Sequence, residues 1–238
     1  MVTIRQFYRN YAVRQGVRLT AALAVWLAAA GTAPAFQAVH PVSGRKIAQV
    51  MGAGGADWLE RNERESEEHP DAALDALQLK PGMVVADVGA GTGYMTLRMA
   101  RRVGPSGKVY GEDLQPEMLR LLRQNAAKAG LGNIEEVLGT ESDPKLPAGK
   151  LDLILLVDVY HEFSQPQAMV RRMREALKPD GRLVLLEYRK EDPAVPIKPE
   201  HKMSVAEVRM EIEPEGFHLE PVIETLPRQH ILILKKRD

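Results

Sequence analysis

Val84-Val85-Ala86-Asp87-Val88-Gly89-Ala90-Gly91-Thr92-Gly93-Tyr94 is an apolar strand that runs directly into a loop with glycine at every second position. A strand ending in Gly-x-Gly-x-Gly turns sharply, and the missing Cβ atoms leave its backbone open to a ligand at the start of the next helix. A plain strand-to-helix turn would use the same glycines, so the surroundings decide the meaning. Dinucleotide folds space their glycines Gly-x-Gly-x-x-Gly, whereas Gly93 arrives one residue early. Asp87, at the strand's end, would repel a pyrophosphate and attract a cationic ligand that carries an amino-acid group.

Moving outward, Lys108-Val109-Tyr110-Gly111-Glu112-Asp113 reads as a second strand ending in acid. It lies roughly 20 residues after the glycines, where α/β nucleoside-binding folds place a carboxylate on the ribose. Glu112 and Asp113 both qualify, and Asp113 is preferred because it ends the strand just before the Gln115-Pro116 helix start. A carboxylate accepts hydrogen bonds from both ribose hydroxyls. A cationic amino acid joined to a nucleoside points to S-adenosylmethionine.

Together these residues resemble a class I S-adenosylmethionine-dependent methyltransferase. Asp87–Gly93 matches the first motif of that family, and Val109–Leu119 matches its strand-two acid and following helix. Gly139-Thr140-Glu141-Ser142-Asp143 falls where the family contacts adenine, Leu151–Tyr160 looks like its fourth strand, and Leu177–Leu183 resembles the turn before its fifth. The resemblance covers about residues 70–238. It implies an α/β, doubly wound, Rossmann-like sheet of seven mostly parallel strands with an antiparallel C-terminal strand. It further implies that Asp87, Gly89, Ala90, Gly91 and Gly93 seat the methionine moiety, that Asp113 holds the ribose with Leu114 beside it, and that Glu141 or Asp143 meets the adenine. Asp158, after the fourth strand, borders cofactor and acceptor alike.

The rest of the chain alternates as such a sheet requires. Helices are expected near Asp71–Gln78, Tyr94–Val103, Pro116–Ala129, Gln165–Leu177 and Ser204–Glu213, with further strands at Ile134–Leu138, Leu151–Val157 and Arg182–Tyr188. Strands near His218–Thr225 and Gln229–Lys235 would close the sheet as a hairpin turning at Leu226-Pro227-Arg228. Upstream, Asp57 is expected to N-cap a helix reaching Glu68, with the charged run Glu60–Glu68 as a mostly solvated face.

Open α/β sheets bind ligands at the carboxyl ends of their strands, which directs attention to Asp158-Val159-Tyr160-His161-Glu162. Asp158, Tyr160 and His161 are the catalytic candidates. The ordinary pKa of histidine suits proton removal from an oxygen, nitrogen or thiol acceptor, with Glu162 or Asp158 orienting the ring. A second group, Tyr188, Arg189, His201 and Lys202, sits on the proline-rich stretch after strand five, where it would meet an anionic or phenolic acceptor. A metal-dependent site would pair Asp158 with an acid such as Glu187, and no metal is expected. Asn-Pro-Pro-Tyr is absent, Asp158-Val159-Tyr160-His161 standing in its place, which favours a small-molecule acceptor.

Composition narrows the classes further. With 238 residues, 45% apolar and 27% charged, the chain can bury one sizeable core. It has no cysteine, which excludes disulfides, thiolate metal sites and a cysteine nucleophile. The formal net charge is zero and no basic run marks a nucleic-acid partner. No Gly-x-Ser-x-Gly or Gly-x-x-x-x-Gly-Lys-Ser/Thr occurs, which removes hydrolase and NTPase templates.

Residues 1–35 differ in kind. Arg5, Arg9, Arg14 and Arg18 precede the apolar run Leu19–Ala30, and Ala33-Pro34-Ala35 offers a small-x-small cleavage site. They are expected to be a secretory signal, or alternatively a membrane anchor. The expected location is exported or periplasmic, the alternatives being membrane-anchored or cytoplasmic. Residues 36–69 then form an extension, with Trp58 and the Gly52–Gly55 loop as a possible lid, and residues 70–238 form the catalytic domain. The reaction expected is methyl transfer from S-adenosylmethionine to a small acceptor. The alternatives are an exported nucleoside-binding module without catalysis and an NAD-type oxidoreductase, the latter disfavoured by the early Gly93.

Overall fold

Seven strands form in the computed structural model, which describes residues 38–237. They are β1 (Val84–Val88), β2 (Lys108–Asp113), β3 (Ile134–Leu138), β4 (Leu151–Val157), β5 (Leu177–Tyr188), β6 (Phe217–Leu219) and β7 (Gln229–Lys236). One sheet contains all seven, in the order β3-β2-β1-β4-β5-β7-β6. β7 runs antiparallel to both neighbours, and β1 to β5 are parallel. The helices are α1 (Ala56–Leu59), α2 (Arg64–Glu68), α3 (Pro70–Ala76), α4 (Tyr94–Val103), α5 (Pro116–Lys128), α6 (Pro166–Ala176) and α7 (Val205–Ile212).

Successive strand residues point to opposite faces, so each central strand feeds two cores. Ala86, Val88, Ile154, Leu156, Leu183 and Leu185 pack with Met169 and Met173 of α6 and Val208 and Ile212 of α7. Val85, Leu153, Leu155, Val184 and Leu186 pack with Leu74 of α3 and Met95, Met99 and Val103 of α4. Each fully buried side chain of this size contributes roughly 1.5–3 kcal/mol, which fixes the three-layer arrangement. Local signals set the helix ends. α5 and α6 begin on Pro116 and Pro166, and α7 begins at a Ser204–Glu207 capping box.

Four local expectations are corrected. The helix expected from Asp57 to Glu68 is broken into α1 and α2, because Arg61 and Arg64 fold back to donate to the carbonyls of Trp58 (2.9 Å) and Leu59 (3.0 Å). Its charged run is not simply solvated: Arg64 and Glu68 are buried and paired at 2.7 Å. The closing strands do not form a tight hairpin. β6 spans only Phe217–Leu219 and pairs with the far end of β7, leaving the intervening stretch tied by the Ile223–Ile231 bridge. The turn expected before β5 is absorbed as a bulge, with Leu177 opposite Leu151 and the regular ladder resuming at Arg182 opposite Leu153.

The described part of the N-terminal extension packs with the remainder in one compact unit. Arg45 grips Glu211 of α7 through two bonds of 3.0 and 3.1 Å, and it also donates to the His161 carbonyl at 3.0 Å. Ala48 donates to that same carbonyl, also at 3.0 Å. The signal or anchor expected over residues 1–35 lies outside the described residues. Among the described residues no helix is long and apolar enough to cross a membrane.

Candidate active site

Strand order reverses between β1 and β4, and the crevice at their carboxyl ends opens into a cavity of about 590 Å³. That is within the range of small-molecule sites. The glycine loop forms its floor. Gly89, Gly91 and Gly93 have φ of 74°, 55° and 94°, and a Cβ on Gly89 would lie 2.5 Å from Val159 Cγ2. Several of the loop's N–H groups are bonded within the protein. Gly89 and Ala90 donate to the Glu112 carbonyl at 2.9 and 2.8 Å, and Gly93 donates to the Ala90 carbonyl.

Asp113 is the joint between this loop and β2. Its Oδ2 accepts from the Gly91 N–H at 3.0 Å and its Oδ1 from the Gln115 N–H at 2.8 Å. Each oxygen keeps a lone pair for a ribose hydroxyl. Asp87 is buried, accepts from Thr96 Oγ1 at 2.6 Å, and is pushed up to about 6 by desolvation. Desolvation, reinforced by Asp113, pushes neighbouring Glu112 up to about 8. Leu114, exposed apolar surface, lines the cavity beside them. Glu141 lines it too, held by Ser164 Oγ at 2.9 Å. Asp143 does not line it, its carboxylate being turned to the Lys145 N–H at 2.8 Å.

Opposite the glycine loop, the chain leaves β4 through Asp158, a non-glycine residue at φ 53°. Its Oδ2 accepts from Gln229 Nε2 at 2.8 Å, while buried Oδ1 has no partner among the described residues. Desolvation, with Glu68 and Glu187 nearby, raises Asp158 well above the usual carboxylate range. Tyr160–Glu162 is a single 3-10 turn. Successive side chains in such a turn diverge by about 120°, so His161 and Glu162 both reach the cavity while Tyr160 cannot. Tyr160, expected to be catalytic, is fully buried in the core with its hydroxyl 3.5 Å from His40 Nε2.

His161 is oriented by neither Glu162 nor Asp158. Glu187 of β5, wholly buried, places Oε2 2.6 Å from His161 Nδ1. His161 Nε2 faces His201 Nδ1 at 3.1 Å. Burial, and then His161, hold His201 below the usual imidazole range, and burial pushes Glu162 up to about 7. Of the second group, Tyr188 and His201 line the cavity. Arg189 is turned away to Glu224 and the Pro227 carbonyl, and Lys202 to the Asp192 carbonyl. Val50, Met51, Trp58, Leu59, Arg61 and Arg64 form the remaining wall. Tyr188 donates to Glu68 at 3.0 Å, tying that wall to β5. Sequence reading missed Glu68, Arg64 and the orienting role of Glu187, because none belongs to a local motif.

A family model described as a methyltransferase domain matches residues 79–224, more than half of the chain. The chain belongs to the class I S-adenosylmethionine-dependent methyltransferase family. A crystal structure of an S-adenosylmethionine-dependent methyltransferase from Aquifex aeolicus superimposes with a TM-score of 0.73 at 28% identity, covering 78% of this chain and 98% of that one. Nocamycin O-methyltransferase from Saccharothrix syringae is 38% identical over 112 residues, 47% of this chain and 40% of that protein. The ubiquinone/menaquinone biosynthesis C-methyltransferase of Escherichia fergusonii is 31% identical over 118 residues, 49% of this chain and 47% of that protein. The chain thus spans less than half the length of the curated relatives it matches.

The family's cofactor is S-adenosylmethionine, and the residues present fit it. At Gly89 a Cβ would meet the Val159 side chain, so the loop presents bare backbone to the cavity there. Seven carboxylates line the cavity against Arg61, Arg64 and Lys198, and Arg64 is already spent on Glu68. Burial is the chief cause that raises Asp87, Glu112 and Asp158, and a sulfonium or ammonium group beside them would favour their ionised forms.

Proposed function

We propose that this methyltransferase-family protein transfers the methyl group of S-adenosylmethionine to an oxygen, nitrogen or sulfur atom of a small-molecule acceptor, leaving S-adenosylhomocysteine. The observation that carries this reading is His161, clamped by Glu187 at 2.6 Å in the cavity wall across from the glycine loop. When bound, the cofactor supplies an electrophilic methyl carbon on a sulfonium. The glycine loop and Asp87 would seat its methionine moiety and Asp113 its ribose, with Asp158 bordering cofactor and acceptor alike. Because the donor is already activated, the protein's main contribution is alignment.

Glu187 fixes the imidazole tautomer by accepting from Nδ1–H, which leaves the Nε2 lone pair to take a proton from the acceptor. His201, partly exposed and 3.1 Å away, offers that proton a route outward. Trp58, Leu59, Tyr188 and Ile197 supply apolar walls that suit a compact organic acceptor. The two curated relatives, an O-methyltransferase named for nocamycin and a C-methyltransferase of ubiquinone/menaquinone biosynthesis, support a small-molecule acceptor. The test is transfer of labelled methyl from S-adenosylmethionine into a fractionated cell extract: label should appear in a low-molecular-mass fraction. Label confined to protein or nucleic acid would contradict the reading.

We also propose that the protein acts after export. The support is the sequence of residues 1–35, arginines followed by an apolar run and Ala33-Pro34-Ala35. Cell fractionation with an antibody to the chain checks it, and recovery from the cytosol alone would refute it.

A further inference from the structure

We propose that His161 Nε2, His201 Nδ1 and the Glu162 carboxylate form a three-donor site for a divalent cation of the zinc type, with its fourth position open to the cavity. The role assigned to the ion rests on the methyltransferase reading; the site itself does not. The three donor atoms lie within 4.8 Å of one another. The two imidazole nitrogens are 3.1 Å apart, close to the roughly 3.3 Å that two nitrogens bound at 2.0–2.1 Å subtend on a tetrahedral ion. Glu162 Oε1 stands 4.0 Å from His201 Nδ1, so a small side-chain movement closes the set.

The neighbourhood is built as metal sites are. Metal-bound histidines commonly donate their other ring N–H to a carboxylate, which fixes the tautomer and raises the basicity of the ligating nitrogen. Glu187 makes that contact with His161 Nδ1, and Glu187 Oε1 is a second buried oxygen with no partner among the described residues. With Nδ1 protonated, the Nε2 lone pair points at His201. Either His201 donates its own Nδ1–H to it, or a cation lies between the two nitrogens.

Charge favours the cation. Among the described residues, Glu162 and Glu187 form ion pairs only with histidines, and Asp158 forms none. Among the described residues no lysine or arginine offsets these three acids at contact distance, whereas a divalent ion would. The ligands come from turns stiffened by their surroundings. His161 and Glu162 sit on the 3-10 turn whose carbonyl is gripped by Arg45 and Ala48, and His201 sits on a second 3-10 turn that begins with Pro199. The expectation of no metal considered only Asp158 with Glu187, and the structure assembles a different set. Two histidines and a glutamate leave one open position, as in catalytic zinc sites. An acceptor hydroxyl or thiol binding there would ionise more readily and release its proton to water; with the ion in place His161 Nε2 is a ligand, and this route replaces direct proton transfer to His161.

The experiment uses the full-length chain without an affinity tag, stripped with a chelator, dialysed and titrated calorimetrically with zinc chloride. One ion should bind per chain. His201→Ala and His161→Ala should each weaken binding at least 100-fold, and Glu187→Gln 10–100-fold. The cobalt-loaded wild type should show the intense visible band of a tetrahedral ion, lost in His201→Ala. Circular dichroism confirms that each variant is folded. No saturable zinc binding by folded wild type, or affinity within threefold of wild type in His201→Ala, would overturn the proposal. The same stripped sample is titrated with S-adenosylmethionine. Cofactor binding without zinc binding rejects the ion site alone, and zinc binding without cofactor binding rejects the donor seat.

Discussion

The cofactor half of the cavity is built mainly by backbone at the ends of β1 and β2, whereas the acceptor half is built by side chains drawn from segments far apart in the chain. On the first side, Gly89, Ala90 and Gly91 are tied to Glu112 and Asp113 by main-chain donors. On the second, His161 depends on Glu187, and Tyr188 on Glu68, across separations of 26 and 120 residues. A backbone cradle can persist while the acceptor changes, and a side-chain wall can change without disturbing the cradle.

The sharpest way to break that contrast is His161→Ala. Turnover should fall by about 10²–10⁴-fold, the usual contribution of a positioned proton-transfer group, with S-adenosylmethionine affinity within about threefold of wild type. Steady-state kinetics alongside calorimetry checks it, and unchanged turnover at every pH would remove His161 from the chemistry. Asp113→Ala should do the reverse. Losing its hydrogen bonds should cost about 1–3 kcal/mol of cofactor binding, read by titration with S-adenosylhomocysteine.

The acids of the cofactor half also predict a pH dependence. Asp87 and Glu112 have folded-state values raised to about 6 and about 8, above their ordinary values near 4. Between those limits the folded chain binds more protons than the unfolded one, so ligand-free stability should decline as pH rises from about 4 to 8. The unfolding midpoint at pH 8 should lie below that at pH 5, and cationic S-adenosylmethionine should narrow the gap. A midpoint that rises over that range would contradict the charge reading. The smallest effect is expected at Trp58, half exposed with the Arg61 guanidinium stacked 3.9 Å from its ring centroid. Trp58→Ala should raise the acceptor KM by about two- to fivefold, roughly 0.5–1 kcal/mol, with cofactor affinity unmoved.

The same division governs how much could be read from sequence. β2, β3, β4 and α4 fall on the residues their apolar runs and glycines indicate, because such signals are local. The glycine loop and Asp113 were legible for the same reason. Glu187 was not, since only the pairing of β4 with β5 brings it beside His161. Tyr160 was expected at the site because it follows β4, and the 3-10 turn that sends its side chain into the core has no signature in the sequence. Arg64 and Glu68 looked like solvated charge because a buried ion pair leaves no pattern in a charged run.

Calorimetric titration of the folded full-length chain with S-adenosylmethionine, S-adenosylhomocysteine and NAD tests the central claim most directly. Both sulfur nucleosides should bind one per chain and NAD should not. Absence of binding by either sulfur nucleoside, in protein shown to be folded, would contradict the assignment of the glycine loop as a methyl-donor seat.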